Sequence, residues 1–283
     1  MKTHAILMLA AMGAITVASC NNSTTTTETT SKTDSTTVAA VPRPKVAIAP
    51  VSASPDFPNA SLSIASTKAE KVGTDSTMVT FNFNVKNYEL KMQTSDNANK
   101  MCNNSDKGQH IHFIVDNGPY KALYEPTNEA TFANNTEHYL MAFLSRSYHE
   151  SIKSKGAALL FHFKIDEKGN LKKMDVPKTP MVFYSRPKGD YFGKDTANIL
   201  LDYYVWNFEP SADGYKVKAD ITPASNEAMS VTFDKWEPHF IQNLGTGKSS
   251  VMLTLVGKDG KQVEGPNTNV TREFNLMAQE GAK

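Results

Sequence analysis

The sequence predicts an all-β protein, two tandem antiparallel β-sandwiches behind a disordered N-terminal tether. Three observations predict it. From residue 60 onward apolar and polar residues alternate with period two, the mark of half-buried strands. Clusters of Asn, Asp, Gly and Pro punctuate those runs at short spacing. The strand pattern of the first half then returns in the second.

The chain has 283 residues and a formal charge of +1. That length allows two ordinary domains once the ends are discounted. The near-zero charge gives no electrostatic case for a nucleic-acid partner. With two cysteines, one of them in the N-terminal segment, a disulfide framework is excluded.

Residues 1–20 read as an export signal. Lys2 supplies the charge and Ala5 to Val17 a run of about a dozen apolar residues, short of the roughly 20 that span a bilayer. The run ends Val17-Ala18-Ser19-Cys20, which resembles a bacterial lipobox. That resemblance implies lipidation of Cys20 as the mature N-terminus. The lipid bilayer is then a partner, and the protein an outer-membrane lipoprotein of the cell envelope. Residues 21–59 are expected to be the tether. NNSTTTTETTSKTDSTT is too polar to offset ordering entropy, and VPRPKVAIAPVSASPDFP is Pro-punctuated and extended.

The first sandwich is expected over residues 60–177. Val79, Phe81, Phe83 and Val85 alternate with Thr80, Asn82, Asn84 and Lys86. Ile111, Phe113 and Val115 share one strand face, and His110, His112 and Ile114 the other. Tyr139 to Leu144 and Ala157 to Ile165 are apolar on both faces. Asp116-Asn117-Gly118-Pro119, Asn134-Asn135 and Asp166 to Asn170 are turn chemistry.

The second sandwich is expected over residues 178–283, with Pro177 and Pro180 at the joint. VTFNFNVKNYEL from Val79 aligns with ILLDYYVWNFEP from Ile199, and GQHIHFIV from Gly108 with GYKVKADI from Gly214. HYLMAFLSRSYHESI from His138 aligns without a gap with SSVMLTLVGKDGKQV from Ser249.

GQHIHFIVDNG followed by EHYLMAFLSRSYH resembles immunoglobulin-like domains of exported Gram-negative lipoproteins. There a GHIHLYLDG-type strand precedes a GxHTLxxxLxDxxH-type strand. The resemblance implies a tandem immunoglobulin-like fold of poorly defined function. The histidine signature falls only in the first half, and Arg146-Ser147-Tyr148 replaces the usual short turn.

Four of the seven histidines lie between Gly108 and Ile152. His110 and His112 leave one strand face, with His138 and His149 on the partner strand and its loop. Converging imidazoles are ligands for zinc or copper, so His110, His112, His138 and His149 form the candidate metal set. The aligned positions of the second half hold Lys216, Lys218, Ser249 and Gly260. An alternative reading makes these histidines cross-strand hydrogen-bonding groups with no cofactor. Cys102, with Met101 and the histidines, would make a soft copper site, or else is a loop cysteine packed at the sandwich edge.

Arg146, Tyr148, His149 and Arg186 form a candidate ligand-binding set, since Arg forks suit anionic peptide or glycan groups. Tyr120, Tyr124, Tyr191, Tyr203, Tyr204 and Trp206 offer either a platform or core. No GxSxG, HExxH, P-loop or dinucleotide fingerprint is present, so no catalytic residue is nominated. The sequence thus points to a non-catalytic envelope binding module for a peptide, glycan or protein. A zinc- or copper-binding protein is the alternative, and an envelope enzyme the third.

Overall fold

A computed structural model describes residues 44–278. The signal, Cys20 and the tether as far as residue 43 lie outside the described residues. Among the described residues no helix is long and apolar enough to cross a membrane.

The strands in chain order are β1 (Ala47–Pro50), β2 (Ser61–Val72), β3 (Ser76–Lys86), β4 (His110–Val115), β5 (Lys121–Leu123) and β6 (Thr127–Ala133). They continue as β7 (Thr136–Ser145), β8 (Ala158–Ile165), β9 (Leu171–Lys173), β10 (Met181–Arg186), β11 (Gly189–Phe192) and β12 (Ile199–Trp206). The last are β13 (Lys216–Thr222), β14 (Met229–Phe233), β15 (His239–Gln242), β16 (Gly247–Val256) and β17 (Asn269–Met277).

Sheets β2-β3-β6 and β5-β4-β7-β8-β9 enclose one core. Sheets β1-β15-β12-β10 and β11-β17-β16-β13-β14 enclose another. The protein is therefore all-β, two antiparallel sandwiches of immunoglobulin-like build in tandem. Among the described residues the one departure from antiparallel pairing is β11, which joins β17 in parallel.

The two sandwiches share a wiring. β12 lies between β10 and β15 as β3 lies between β2 and β6, and β13 pairs β14 and β16 as β4 pairs β5 and β7. The loops after β7 and β16 match bond for bond. Bridges join Ser145 to Ser151 and Val256 to Gln262. Arg146 N–H donates to Glu150 O at 2.9 Å, and Gly257 N–H to Lys261 O at 2.8 Å. One difference stands out. His149 has φ 70° at the turn position where the second copy has Gly260 at φ 75°. A left-handed conformation costs a non-glycine residue about 1–2 kcal/mol, so this histidine is held against a backbone preference.

Alternation explains the cores. Val79, Phe81 and Phe83 of β3 face inward against Ile111 and Phe113 of β4 and Leu140, Ala142 and Leu144 of β7. The opposite face of β4 and β7, which carries His110, His112 and Ile114, is covered. Ile114, Met141 and Phe143 pack on Met181, Phe183 and Tyr204 of the second sandwich, forming a third apolar cluster at the junction. Burial on both faces is the reason β7 reads apolar at consecutive positions.

The turn after β4 locks this junction. Asn117 Nδ2–H donates to Val182 O and Tyr184 N–H to Asn117 Oδ1, both at 2.8 Å. The amide thereby satisfies the free edge of β10, as a buried backbone requires.

Residues 44–59, read from the sequence as the end of the tether, are ordered instead. β1 pairs antiparallel with β15, and Val46 and Ile48 pack on the second core. Their alternation in Pro44-Lys45-Val46-Ala47-Ile48-Ala49-Pro50 is a short edge strand bounded by prolines, a place prolines tolerate. Phe57 then packs edge-on against Tyr88 of the first sandwich, with ring centroids 4.8 Å apart. The segment thus touches both sandwiches.

Candidate metal centre

β4 presents His110 and His112 two residues apart, so both rings leave the junction-facing side of the strand. The turn after β7 brings His149 beside them. The His110 Nε2–His112 Nε2 distance is 3.0 Å, and His149 Nδ1 lies 3.1 Å from His110 Nε2. These three ring nitrogens all lie within 4.8 Å of one another. All three side chains are buried, the most exposed at 7%.

Lone pairs decide what this arrangement can do. Gly108 O can only accept, so His110 Nδ1–H donates to it, at 2.8 Å. Burial lowers the pKa of His110 to about 4, and burial holds His112 and His149 well below the ordinary histidine value. Neutral His110 therefore carries one lone pair on Nε2, which faces two other ring nitrogens at once. One can donate to it; the other, His149 Nδ1, then keeps a lone pair that accepts from the Tyr120 hydroxyl 3.2 Å away. A cation at the common point would take up all three lone pairs at once.

The surrounding bonds suit such a cation. A metal-ligating histidine donates its other ring N–H to an oxygen, as His110 does to Gly108. His112 Nδ1 lies 3.0 Å from Ser185 Oγ, a hydroxyl able to accept when the metal is present and donate when it is absent. Metal–nitrogen bonds of about 2.0–2.1 Å set donor atoms roughly 3.3–3.6 Å apart. The two short separations, His110 to His112 and His110 to His149, would widen by a few tenths of an ångström.

Tyr120 completes one wall. Its ring stacks on His112 at 3.6 Å between centroids and 8° between planes, and its hydroxyl lies 3.2 Å from His149 Nδ1. Behind Tyr120 stand two cations. Lys188 Nζ is 4.1 Å from the Tyr120 ring centroid and Arg186 Cζ 5.7 Å. Arg186 is buried and donates to Tyr191 Oη at 3.0 Å and to Asn103 Oδ1 at 3.1 Å. Among the described residues no carboxylate pairs with it within 4 Å.

His138 is the exception in the nominated metal set. It sits at the far end of β7, where Nδ1–H donates to Asp116 Oδ2 at 2.6 Å. β4 and β7 are antiparallel, with His110 opposite Ser145, so seven residues of strand separate His138 from the cluster. Cys102 is not part of the convergent set either. Burial pushes its thiol up to about 12, which keeps it protonated.

The nominated ligand-binding set is also redistributed. Arg146 is buried and its two terminal nitrogens donate internally, to Glu150 Oε1 at 3.0 Å and to Pro55 O at 2.6 Å, while its Nε is buried without a partner. Tyr148 is buried with its hydroxyl on Asp96 Oδ1 at 3.0 Å. Neither presents a free fork or hydroxyl to a docking peptide or glycan. Arg186 and His149 belong instead to the surroundings of the imidazole cluster. Of the aromatic set, Tyr120, Tyr191, Tyr203 and Tyr204 are buried.

Ser185 is not nominated from the sequence, and Lys188 reads only with Arg186 as a cationic loop near the joint. Their only signal is the unusual polar run Ser185 to Tyr191, which the fold folds back over β4. Separately, a cleft of about 510 Å³ opens between the sandwiches, lined by Phe57, Arg146, Lys153 and Trp236 among others.

Comparison with known proteins finds no matching family model and no matching curated protein. Among solved structures, the chain is similar to the fibronectin(III)-like modules of Clostridium thermocellum CbhA. The likeness is at 9% identity with a TM-score of 0.25, over 75% of this chain and 95% of that one. The strand pairing described above, rather than that likeness, defines the fold.

Proposed function

We propose that this chain is an exported, lipid-anchored cell-envelope protein of the immunoglobulin-like lipoprotein type. Its first sandwich binds a transition-metal ion through His110, His112 and His149. The observation that carries this reading is the convergence of three neutral imidazole nitrogens on one buried point. Support comes from His149, which keeps an unfavourable backbone conformation where the second copy uses glycine. The second sandwich supplies Ser185 and covers the site.

The test is titration of metal-free protein with zinc and copper salts, followed by elemental analysis. One ion per chain is expected, with affinity reduced at least about a hundredfold in His149→Gly, since losing only a group that hydrogen-bonds to a ligand costs about 10–100-fold. Glycine is the conformationally favoured residue at that turn, so this variant should fold normally. Equal binding by His149→Gly and the parent would remove the site from consideration.

The envelope reading rests on the Val17-Ala18-Ser19-Cys20 motif. Cys20→Ser is expected to move the protein from the membrane fraction to the soluble fraction on cell fractionation. Unchanged membrane association would exclude a lipid anchor at that residue. A peptide or glycan ligand retains one support, the cleft beside Trp236 and Lys153. Lys153 there is already paired with Asp202 at 2.8 Å.

A further inference from the structure

We infer that the ion this site is built to hold is monovalent copper; the inference rests on the metal-centre reading and specifies the charge and softness of its occupant. Four observations bear on it. First, the donor set is neutral, with no carboxylate or thiolate among the three converging atoms. The loaded site therefore carries the full charge of its ion.

Second, that charge would sit beside Arg186 and Lys188, both packed on the Tyr120 ring that itself stacks on His112. Arg186 is buried and has no carboxylate partner within 4 Å among the described residues. Coulomb repulsion scales with the charge of the ion, so a dication meets twice the penalty of a monocation here. Hard or strongly charged ions are thus disfavoured by the same residues that wall the site.

Third, the ring centroids are 4.9 Å apart for His110–His112, 5.0 Å for His110–His149 and 6.1 Å for His112–His149. The outer two rings spread wider than either does from His110. Monovalent copper accepts three nitrogen donors without a fourth, whereas zinc held by three protein ligands takes a water or substrate as its fourth, for which this buried site would have to make room. Tyr120 Oη lies 3.2 Å from His149 Nδ1, and among the described residues no carboxylate or thiolate joins the three imidazoles to complete a zinc site.

Fourth, the loop over the site is specific to this sandwich. Residues 87–109 join β3 to β4, while the matching connection in the second sandwich is only residues 207–215. The longer loop reaches the site through Asn103 on Arg186 and through Ser105 Oγ, 2.7 Å from Tyr124 Oη; the Tyr124 ring lies 5.1 Å from that of His110. It exposes Met92 and Met101, at 51% and 71%. Exposed thioethers are soft donors that favour monovalent copper over zinc, and here they lie on the loop that is longer in the histidine-bearing sandwich.

The experiment uses full-length, metal-free protein under anaerobic reducing conditions. Monovalent copper is titrated in competition with bicinchoninate, and zinc in competition with a chromogenic zinc chelator. The expected result is one copper per chain, bound at least a hundredfold more tightly than zinc, with Cys102→Ser unchanged and His149→Gly strongly weakened. Lys188→Gln should narrow the ratio by tightening zinc more than copper. Zinc binding as tightly as copper, and lost in His149→Gly, overturns the copper assignment and leaves the metal centre standing. Binding of neither ion overturns both. Copper retained in His149→Gly but lost in Cys102→Ser places it on sulfur and overturns both as well.

Discussion

Replacing Arg146 with alanine is expected to destabilise the protein by about 3–5 kcal/mol without changing its metal stoichiometry. Both partners of the Arg146–Glu150 pair have side chains only 7% exposed. Removing the guanidinium strands a buried carboxylate whose remaining side-chain partner is Ser54 Oγ, at 2.7 Å. It also frees Pro55 O and Ser151 O, which Arg146 now satisfies. The damage should therefore extend to the segment around residues 52–58 that lies along the first sandwich. Urea unfolding at neutral pH measures the loss. Arg146→Met combined with Glu150→Leu should recover most of it, because it removes the desolvated charges together. A stability change within about 0.5 kcal/mol for Arg146→Ala would mean the side chain is a solvated surface group, free for a ligand after all.

The metal-free protein is expected to lose stability steeply as the pH falls from about 6.5 toward 4. His110, His112 and His149 have folded-state pKa values lowered by burial, that of His110 to about 4. In the unfolded chain each titrates near the ordinary value of about 6.5. Between those limits the unfolded state binds more protons than the folded state, so stability rises with pH across the window and falls on acidification. Three additional protons correspond to up to about 4 kcal/mol per pH unit, enough to consume ordinary domain stability of about 5–15 kcal/mol within a few units. Arg186 and Lys188 sharpen the effect by opposing any imidazolium nearby. Above pH 7 the contribution is complete and the curve should flatten. Urea unfolding of chelator-treated protein at pH 7, 6 and 5 provides the check. Equal midpoints at pH 7 and 5 would show that the cluster is not a set of buried neutral imidazoles.

How much of this could be read without coordinates differs by residue. Phe81, Phe113 and Leu140 were legible as core, because strand alternation assigns each to a face and apolar burial selects the face. The shared wiring of the two halves was legible from Ser249 onward, since the gap-free alignment with His138 onward preserves even the turn geometry at His149 and Gly260. Ala47–Pro50 was not legible as a strand. Four residues ending on a proline carry too little periodicity to outweigh a tether-like composition, and the partner that orders them, His239–Gln242, lies far along the chain.

By itself the sequence determined that this is an all-β chain in two related halves and that one half alone carries a histidine-rich strand pair. Period-two alternation and turn chemistry are local, so they survive in one dimension. Only the tertiary structure decided which histidines meet. Antiparallel register carries His138 to the far end of β7, while a tight turn folds His149 back onto His110. Only the tertiary structure decided, too, that the histidine face is shut from water. A strand's own pattern says which side chains share a face; what covers that face depends on another sandwich, through contacts between residues as distant as His112 and Ser185.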